Sequence, residues 1–330
     1  MPIISVKDLI FDYPDKRAIK GISFELEPQS ITAMVGPNGA GKTTILRNIA
    51  ALDTPFSGSI SIDGIDVLSN PRKAHEKIGF LQDFYGLYDL LTVADCLNYY
   101  ASAHGVPCSL RKERILETAR MLGLEDRLNQ QAGNLSRGLR QRLAIAQAII
   151  HRPAILLLDE PASGLDPEAR IDLSRLLVSL RDSGMTILVS SHILVELEDY
   201  STHMMIIDNG HLVDLREIRN SAATHRRWRM TMPMEAPEVV AKLIHLVDVT
   251  AISLEGRDAT FDFHGDDNAV SRLIARITAA QIPFCGFAED KPNIQSVYLE
   301  KMSAKAPPPP QVTPGKKEAS PDATSPQKGA

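Results

Sequence analysis

The chain has 330 residues, 44% hydrophobic and 23% charged, with 36 Lys and Arg against 41 Asp and Glu for a formal net charge of -5. This is globular composition with length for about two domains of roughly 150 residues each, and the acidic balance gives no sign of bulk nucleic-acid binding. Cys96, Cys108 and Cys285 form no CxxC pair, so neither a zinc site nor a disulfide framework is expected, and a reducing compartment fits best.

The opening "MPIISVKDLI" lacks a basic start followed by an apolar stretch, so no signal peptide is expected. Residues 1–35 read as strands and turns: "ISFEL" alternates, and "SITAMVG" is an apolar run ending in glycine. Tyr13, in "FDYPDKRAI", is either a packing residue or an aromatic face on which a base can stack.

"GPNGAGKTT" follows that apolar run and opens a helical stretch. It fits the phosphate-loop pattern G-x-x-x-x-G-K-[ST]. Gly36, Pro37, Asn38, Gly39, Ala40 and Gly41 would form the phosphate-binding loop, whose glycines let backbone N–H groups close around phosphates. Lys42 would meet the β- and γ-phosphates, and the Thr43 hydroxyl would reach Mg²⁺, with Thr44 completing the motif. The helix start points its positive end at the same anion.

"GSISIDGIDV" at 58–67 alternates around an Asp63-Gly64 turn, and residues 92–150 look mainly helical. Within them Arg137, Arg140 and Arg142 crowd a helix start, where the macrodipole prefers anions. "AILLLD" and "MTILVSS" read as buried parallel strands around a helix closed by Gly184, which implies a parallel α/β sheet. Asp159 and Glu160 end the first of these strands. The former is placed to hold Mg²⁺ and the latter to orient or deprotonate a water. Asp166 reads as an N-cap before Pro167, which leaves room for a second role across an interface. His192 follows the other strand, where ligands bind in parallel sheets.

"HMMIIDNGHLVDL" predicts a hairpin at Asn209-Gly210. Residues 216–225 are a polar break. Beyond it the order is strand ("RRWRMTM"), helix ("PEVVAKLIHLV"), hairpin about Gly256, helix (266–281) and strand ("IPFCGFAE"), which matches a ferredoxin-like unit. Residues 304–330 hold seven prolines and almost no large apolar side chains, and should be disordered. No apolar run approaches the length of a membrane helix.

Taken together, residues 3–215 resemble the ATP-binding subunit of an ABC transporter, with every element in the family's order. "GPNGAGKT" corresponds to Walker A, "LSRGLRQ" to the signature motif, "ILLLDE" to Walker B, "SGLD" to the D-loop and His192 to the switch histidine; Tyr13 sits at the adenine-stacking position. The resemblance implies an α/β P-loop ABC ATPase fold: a parallel-sheet core, an antiparallel β subdomain and a helical subdomain at about 85–150, over residues 1–215. A small α+β ferredoxin-like domain would occupy 216–303. It implies ATP and Mg²⁺ as cofactors, and a homodimer with each ATP between Walker A of one subunit and Ser136 and Gly138 of the other. Glu160 would polarise water, while His192 and Lys42 would contact the phosphate. The wording "PASGLDPEARIDL" and the second domain resemble ABC-2 exporters. In these the ATPase serves separate transmembrane permease subunits, bound peripherally on the cytoplasmic face of the cell membrane, with no direct nucleic-acid contact.

Two motifs depart from the family pattern. Arg137 and Leu139 replace a glycine and the glutamine of LSGGQ. In "IGFLQD" the Q-loop glutamine position falls on Asp83, with Gln82 one residue earlier, and either can approach the metal. On this reading ATP and nearby carboxylates offset the arginine charge. The alternative is a soluble ABC ATPase acting in regulation, on DNA or on ribosomes. It is disfavoured because only about 90 residues, without sustained heptads, lie between Thr43 and Leu135, and because one cassette is present rather than two.

Overall fold

A computed structural model describes residues 1–83, 85–193, 197, 200–218, 225–235, 243 and 249–290. Three sheets organise them. The first is antiparallel, in the order β2-β1-β4-β5, from β1 (Ile4–Tyr13), β2 (Lys16–Leu26), β4 (Ser57–Ile62) and β5 (Ile65–Asp66). Its alternation is visible in β4, where Ile60 and Ile62 are buried and Ser57 and Ser59 face out.

The second sheet has six strands, ordered β10-β9-β3-β8-β7-β6. It contains β3 (Ile31–Val35), β6 (Ile78–Leu81), β7 (Ile155–Asp159), β8 (Thr186–Ser191), β9 (His203–Asp208) and β10 (His211–Glu217). Every pairing is parallel except β9–β10, the hairpin at Asn209-Gly210. The strands β3, β7 and β8 are buried throughout, as expected of continuous apolar runs covered on both faces. Between them run α1 (Lys42–Ile49), α2 (Pro71–His75), α3 (Val93–Ala103), α4 (Cys108–Met121), α5 (Arg137–Ile149) and α6 (Pro167–Asp182). A capping box of Thr92 with Asp95 starts α3, and Asp166 caps α6 ahead of Pro167. On α5 the residues Leu143, Ala146 and Ile150 are fully buried, with Leu139 packed at their edge.

Because the inner strands are parallel, the segments following β3, β6, β7 and β8 leave the sheet at its carboxyl edge, where parallel α/β sheets bind ligands. Those segments begin with Gly36, Gln82, Glu160 and His192.

The third sheet contains β11 (His225–Thr231), β12 (Val249–Glu255), β13 (Asp258–His264) and β14 (Gly286–Glu289), followed along the chain order by α7 (Asp267–Ala279) between β13 and β14. Its order, β12-β13-β11-β14, is antiparallel throughout and is that of a ferredoxin-like sheet. Trp228, Met230, Phe261, Leu273 and Ile277 form its core. The final strand is shorter than "IPFCGFAE" suggests. The Ile282 N–H still returns to the Ile277 carbonyl of α7, and Pro283 has no N–H to give to a ladder, so pairing begins at Gly286. The helix expected at 237–247 lies, apart from Leu243, outside the described residues, as does the tail at 304–330. Among the described residues no helix is long and apolar enough to cross a membrane.

Candidate nucleotide site

The loop between β3 and α1 is shaped first by packing. A methyl group on Gly36 would run into the Ile207 carbonyl of β9, so only glycine lets β3 end so close to its neighbour. Gly39 and Gly41 turn the chain with φ of 78° and 112°. The Ala40 N–H bonds to the Pro37 carbonyl at 3.1 Å, and the Gly210 N–H bonds to Ala40 at 2.9 Å, tying the loop to the β9–β10 turn. Pro37, Asn38 and Gly39 are exposed, as is Thr43, while Thr44 is buried. No side chain caps α1 at Gly41, so its first N–H groups are open to an anion.

Lys42 is buried, and its Nζ folds back to donate to the Gly36 carbonyl at 2.8 Å and the Pro37 carbonyl at 3.4 Å. It lies 3.9 Å from Glu160 Oε1. Burial lowers its pKa, and the carboxylates of Glu160 and Asp159 work against that shift. Tyr13, 45% exposed, ends β1 beside this loop. Its hydroxyl is 3.2 Å from Thr44 Oγ1, and its ring packs edge-on against Phe11.

Opposite the loop, Asp159 is buried at the end of β7 and accepts the Ser190 hydroxyl at 2.6 Å. The Glu160 N–H donates to Ser190 Oγ at 3.0 Å and to the Ser190 carbonyl at 3.2 Å. Glu160 has a left-handed φ of 49°, a costly conformation for a residue with a Cβ. Its Oε2 meets His192 Nδ1 at 2.6 Å. Asp83 sits close enough to feel both carboxylates. Its pKa is raised, first by burial and then by Asp159 and Glu160, with His192 opposing. Gln82, Asp83, Asp159, Glu160, Arg137 and Arg140 all line one cavity of about 320 Å³. A larger recess of about 700 Å³ lies on the far side of the antiparallel sheet, around Met1, Lys7 and Asp63, and touches none of these groups.

The start of α5 is organised separately. Ser136 is its N-cap, accepting the Leu139 N–H over a long 3.4 Å. A methyl on Gly138 would stand 3.2 Å from Ala169 Cβ, so the glycine lets α5 lie against the first turn of α6. Asp166 accepts the Ala169 N–H at 2.8 Å, the cap expected of it. The three arginines find partners within the chain, not only in a ligand. Arg140 pairs with Asp89 at 2.7 Å, Arg142 with Asp172 at 2.8 Å, and Arg137 donates to the Ser163 carbonyl at 3.4 Å. Of the two sources of compensation expected, ATP and nearby carboxylates, the carboxylates are seen for Arg140 and Arg142, in Asp89 and Asp172.

The structure thus gathers Lys42, Asp83, Asp159, Glu160 and His192 at one edge, and sets Tyr13 against Thr44. Ser136 and Asp166 instead cap the starts of α5 and α6, and Gly138 meets Ala169 where these two helices touch. Ser190 was not singled out by sequence, although it stands two residues before His192. Tyr85, whose hydroxyl donates to Gln141 Oε1 at 2.5 Å beneath the cavity, was not singled out either. Among the described residues no three acidic, His or Cys side chains converge into a ready metal cage.

Comparisons with known proteins show the family of the chain. A family model described as "ABC transporter" matches residues 19–163. The linearmycin resistance ATP-binding protein LnrL of Bacillus subtilis is 30% identical over 294 residues, covering 87% of this chain and 94% of that protein. A Nod factor export ATP-binding protein I of Ralstonia nicotianae is 33% identical over 209 residues, 63% of this chain and 65% of its own. Among solved structures, a dimeric ATP-binding cassette in a post-hydrolysis state bound to ADP and Pi superposes with a TM-score of 0.59 at 26% identity, covering 66% of this chain and 99% of that one.

Proposed function

The chain belongs to the ATP-binding subunits of ABC transporters, and from that premise we propose that it hydrolyses Mg·ATP to drive a separate membrane permease, in the direction of export. The observation that carries the catalytic part is the constellation at Glu160. One carboxylate oxygen is held by His192 at 2.6 Å and the other faces Lys42 at 3.9 Å.

In this reading the Lys42 ammonium leaves the carbonyls of Gly36 and Pro37 to meet the β- and γ-phosphates, with the open N–H groups of α1 behind it. Tyr13 offers its exposed ring to the base. Glu160 orients the attacking water and takes its proton, and His192 holds the carboxylate in place.

The residues suit Mg²⁺. Thr43, Asp159 and either Gln82 or Asp83 are all oxygen donors, and Asp159 and Glu160 stand close enough to Asp83 to raise its pKa, a like-charge repulsion that a cation would relieve. Bound there, the ion would supply charge neutralisation between the phosphate oxygens.

Ser136 and Gly138 are proposed to meet the γ-phosphate held by a second copy of the chain, and Asp166 to approach across that interface. The long Ser136 cap bond leaves its hydroxyl cheap to redirect. Support for the dimer comes from the dimeric cassette with ADP and Pi. Support for export comes from relatives named for Nod factor export and linearmycin resistance. We place the chain at the cytoplasmic face of the membrane, held there by an ABC-2 type permease in separate chains. Residues 1–215 act as the ATPase unit, with 216–303 as a small appended domain.

The test is direct. Purified protein should hydrolyse ATP only with Mg²⁺, and Glu160→Gln should nearly abolish turnover. Equal rates in wild type and variant would overturn the assignment of Glu160. Mild-detergent purification from membranes should recover a polytopic protein, and its absence would overturn the transport reading.

A further inference from the structure

Arg137 stands where the family pattern has a glycine, and its side chain has somewhere specific to go. Its Nη2 donates to the Ser163 carbonyl at 3.4 Å. Its guanidinium also fills the space above Gly164: a Cβ added there would meet Arg137 Nη1 at 2.7 Å and lie still closer to Nη2 and Cζ. Gly164 has a φ of 66°, a conformation that favours glycine, and a side chain there would also displace the flexible guanidinium. The next residue, Gly138, packs on Ala169, and Arg142 pairs with Asp172 at 2.8 Å. The first turns of α5 therefore lie along residues 163–172 through three successive contacts.

The Ser163 carbonyl is not an isolated acceptor. The Ser163 N–H bonds to the Glu160 carbonyl at 3.0 Å, and Leu165 N–H bonds to Ala162 at 3.2 Å, closing a tight turn. The Glu160 N–H continues to Ser190, whose hydroxyl reaches Asp159. A contiguous hydrogen-bonded chain thus runs from Arg137 through Ser163, Glu160 and Ser190 to Asp159. Its middle member, Glu160, is the one with the strained left-handed backbone.

We propose that Arg137 is a positioning residue for Glu160: by bracing the Ser163–Gly164 turn of its own subunit, it holds the carboxylate at the angle from which it acts. The proposal rests on Glu160 being the catalytic carboxylate. It accounts for a cation at a helix start, where the macrodipole opposes it, because the guanidinium leans away from the helix axis onto a carbonyl.

The experiment is steady-state ATP hydrolysis by the full chain carrying Arg137→Ala, Arg137→Lys, Gly164→Ala and the double Arg137→Ala/Gly164→Ala, with Glu160→Gln alongside and a thermal melt of each. Loss of one hydrogen bond predicts that Arg137→Ala lowers kcat by about three- to tenfold with KM for ATP changed less than about twofold. Arg137→Lys should recover part of the loss, because an ammonium can still donate to Ser163. Gly164→Ala should cost less in the Arg137→Ala background than in wild type, because the clash is then gone. Three results would overturn the proposal: unchanged kcat in Arg137→Ala, a rise in KM at constant kcat, or additive single variants. The KM result would make Arg137 a nucleotide contact. If Glu160→Gln stays fully active, the underlying assignment of Glu160 has failed. If Glu160→Gln is inactive and Arg137→Ala is not impaired, only the bracing has failed.

Discussion

His192 Nδ1 lies 2.6 Å from Glu160 Oε2, across the gap between the ends of the neighbouring strands β8 and β7. With the carboxylate ionised, Nδ1 carries the shared proton, which leaves Nε2 directed elsewhere. The pair is only partly sheltered, Glu160 being 16% exposed and His192 49%. Its worth is therefore orientation rather than stability. Replacing Glu160 by Gln keeps the shape and removes the base, so ATP turnover should fall by about 100-fold or more. His192→Ala should fall by roughly tenfold or more, the worth of one hydrogen bond to a charged group. The double variant should be no slower than Glu160→Gln alone, because the histidine then has nothing to orient. Additive losses in steady-state assays would mean that His192 acts independently of Glu160.

Ser190 ties the Asp159 carboxylate to the Glu160 backbone, donating to Asp159 at 2.6 Å and accepting from the Glu160 N–H at 3.0 Å. Ser190 is fully buried, so no water can replace it without a cavity. Ser190→Ala should cut kcat by about tenfold, with a smaller effect on KM for ATP, since two hydrogen bonds near charged groups are lost. Ser190→Thr, which keeps the hydroxyl, should recover part of the rate if the extra methyl fits. Unchanged kcat in the alanine variant would show that the two carboxylates hold their geometry without it.

What could be read from sequence and what could not divides along contact range. The phosphate loop, the Asp159-Glu160 pair and the Asp166 cap are local patterns, in which the residues that interact lie within a few positions of one another. Parallel strands follow as directly from the runs "AILLLD" and "MTILVSS". The partners of Arg137, Arg140 and Arg142 lie at Ser163, Asp89 and Asp172, on other elements, and nothing in a helical repeat records them. Ser190 was hidden for a different reason. A serine inside a buried strand looks like any small residue until the neighbouring strand puts Asp159 beside it in register. Gln82 and Asp83 are not told apart by sequence because they are adjacent and both line the cavity, and the neighbouring Asp159 and Glu160 that raise the Asp83 pKa are brought there only by the assembled site.

Gly36 illustrates a motif residue required by packing as much as by phosphate. Its Cβ position is occupied by the backbone carbonyl of Ile207, which cannot rotate away as a side chain could. Gly36→Ala should therefore push β9 from β3 and cost about 1–3 kcal/mol of stability. Equilibrium urea unfolding would read this as a lower midpoint at unchanged slope. A variant as stable as wild type but unable to bind ATP would mean that the glycine serves the phosphate alone.

The last prediction concerns pH. The rings of His104, the C-cap of α3, and His151, just beyond α5, stack face to face with centroids 3.9 Å apart. His151 Nε2 is 3.0 Å from the Ile78 carbonyl, while its Nδ1 is buried with no hydrogen bond within normal geometry among the described residues. Burial, then His104 and Arg114, push the His151 pKa down to about 4, against the pull of the Ile78 and His75 carbonyls. His104 is lowered too, by burial and by the neighbouring His75. The sign follows from linkage. Between about 6.5 and about 4 the unfolded chain binds a proton at His151 that the folded chain does not, so stability falls as pH falls through that window and is fully present above it. His151→Phe keeps a ring against His104 and removes the titrating group. Its melting temperature should start lower at pH 7, for want of the bond to Ile78, but decline less steeply towards pH 4 than that of wild type. Carboxylates contribute the same background slope to both proteins, so the difference between the two curves isolates the histidine. Parallel curves would mean that His151 protonates in the folded state as readily as in the unfolded chain.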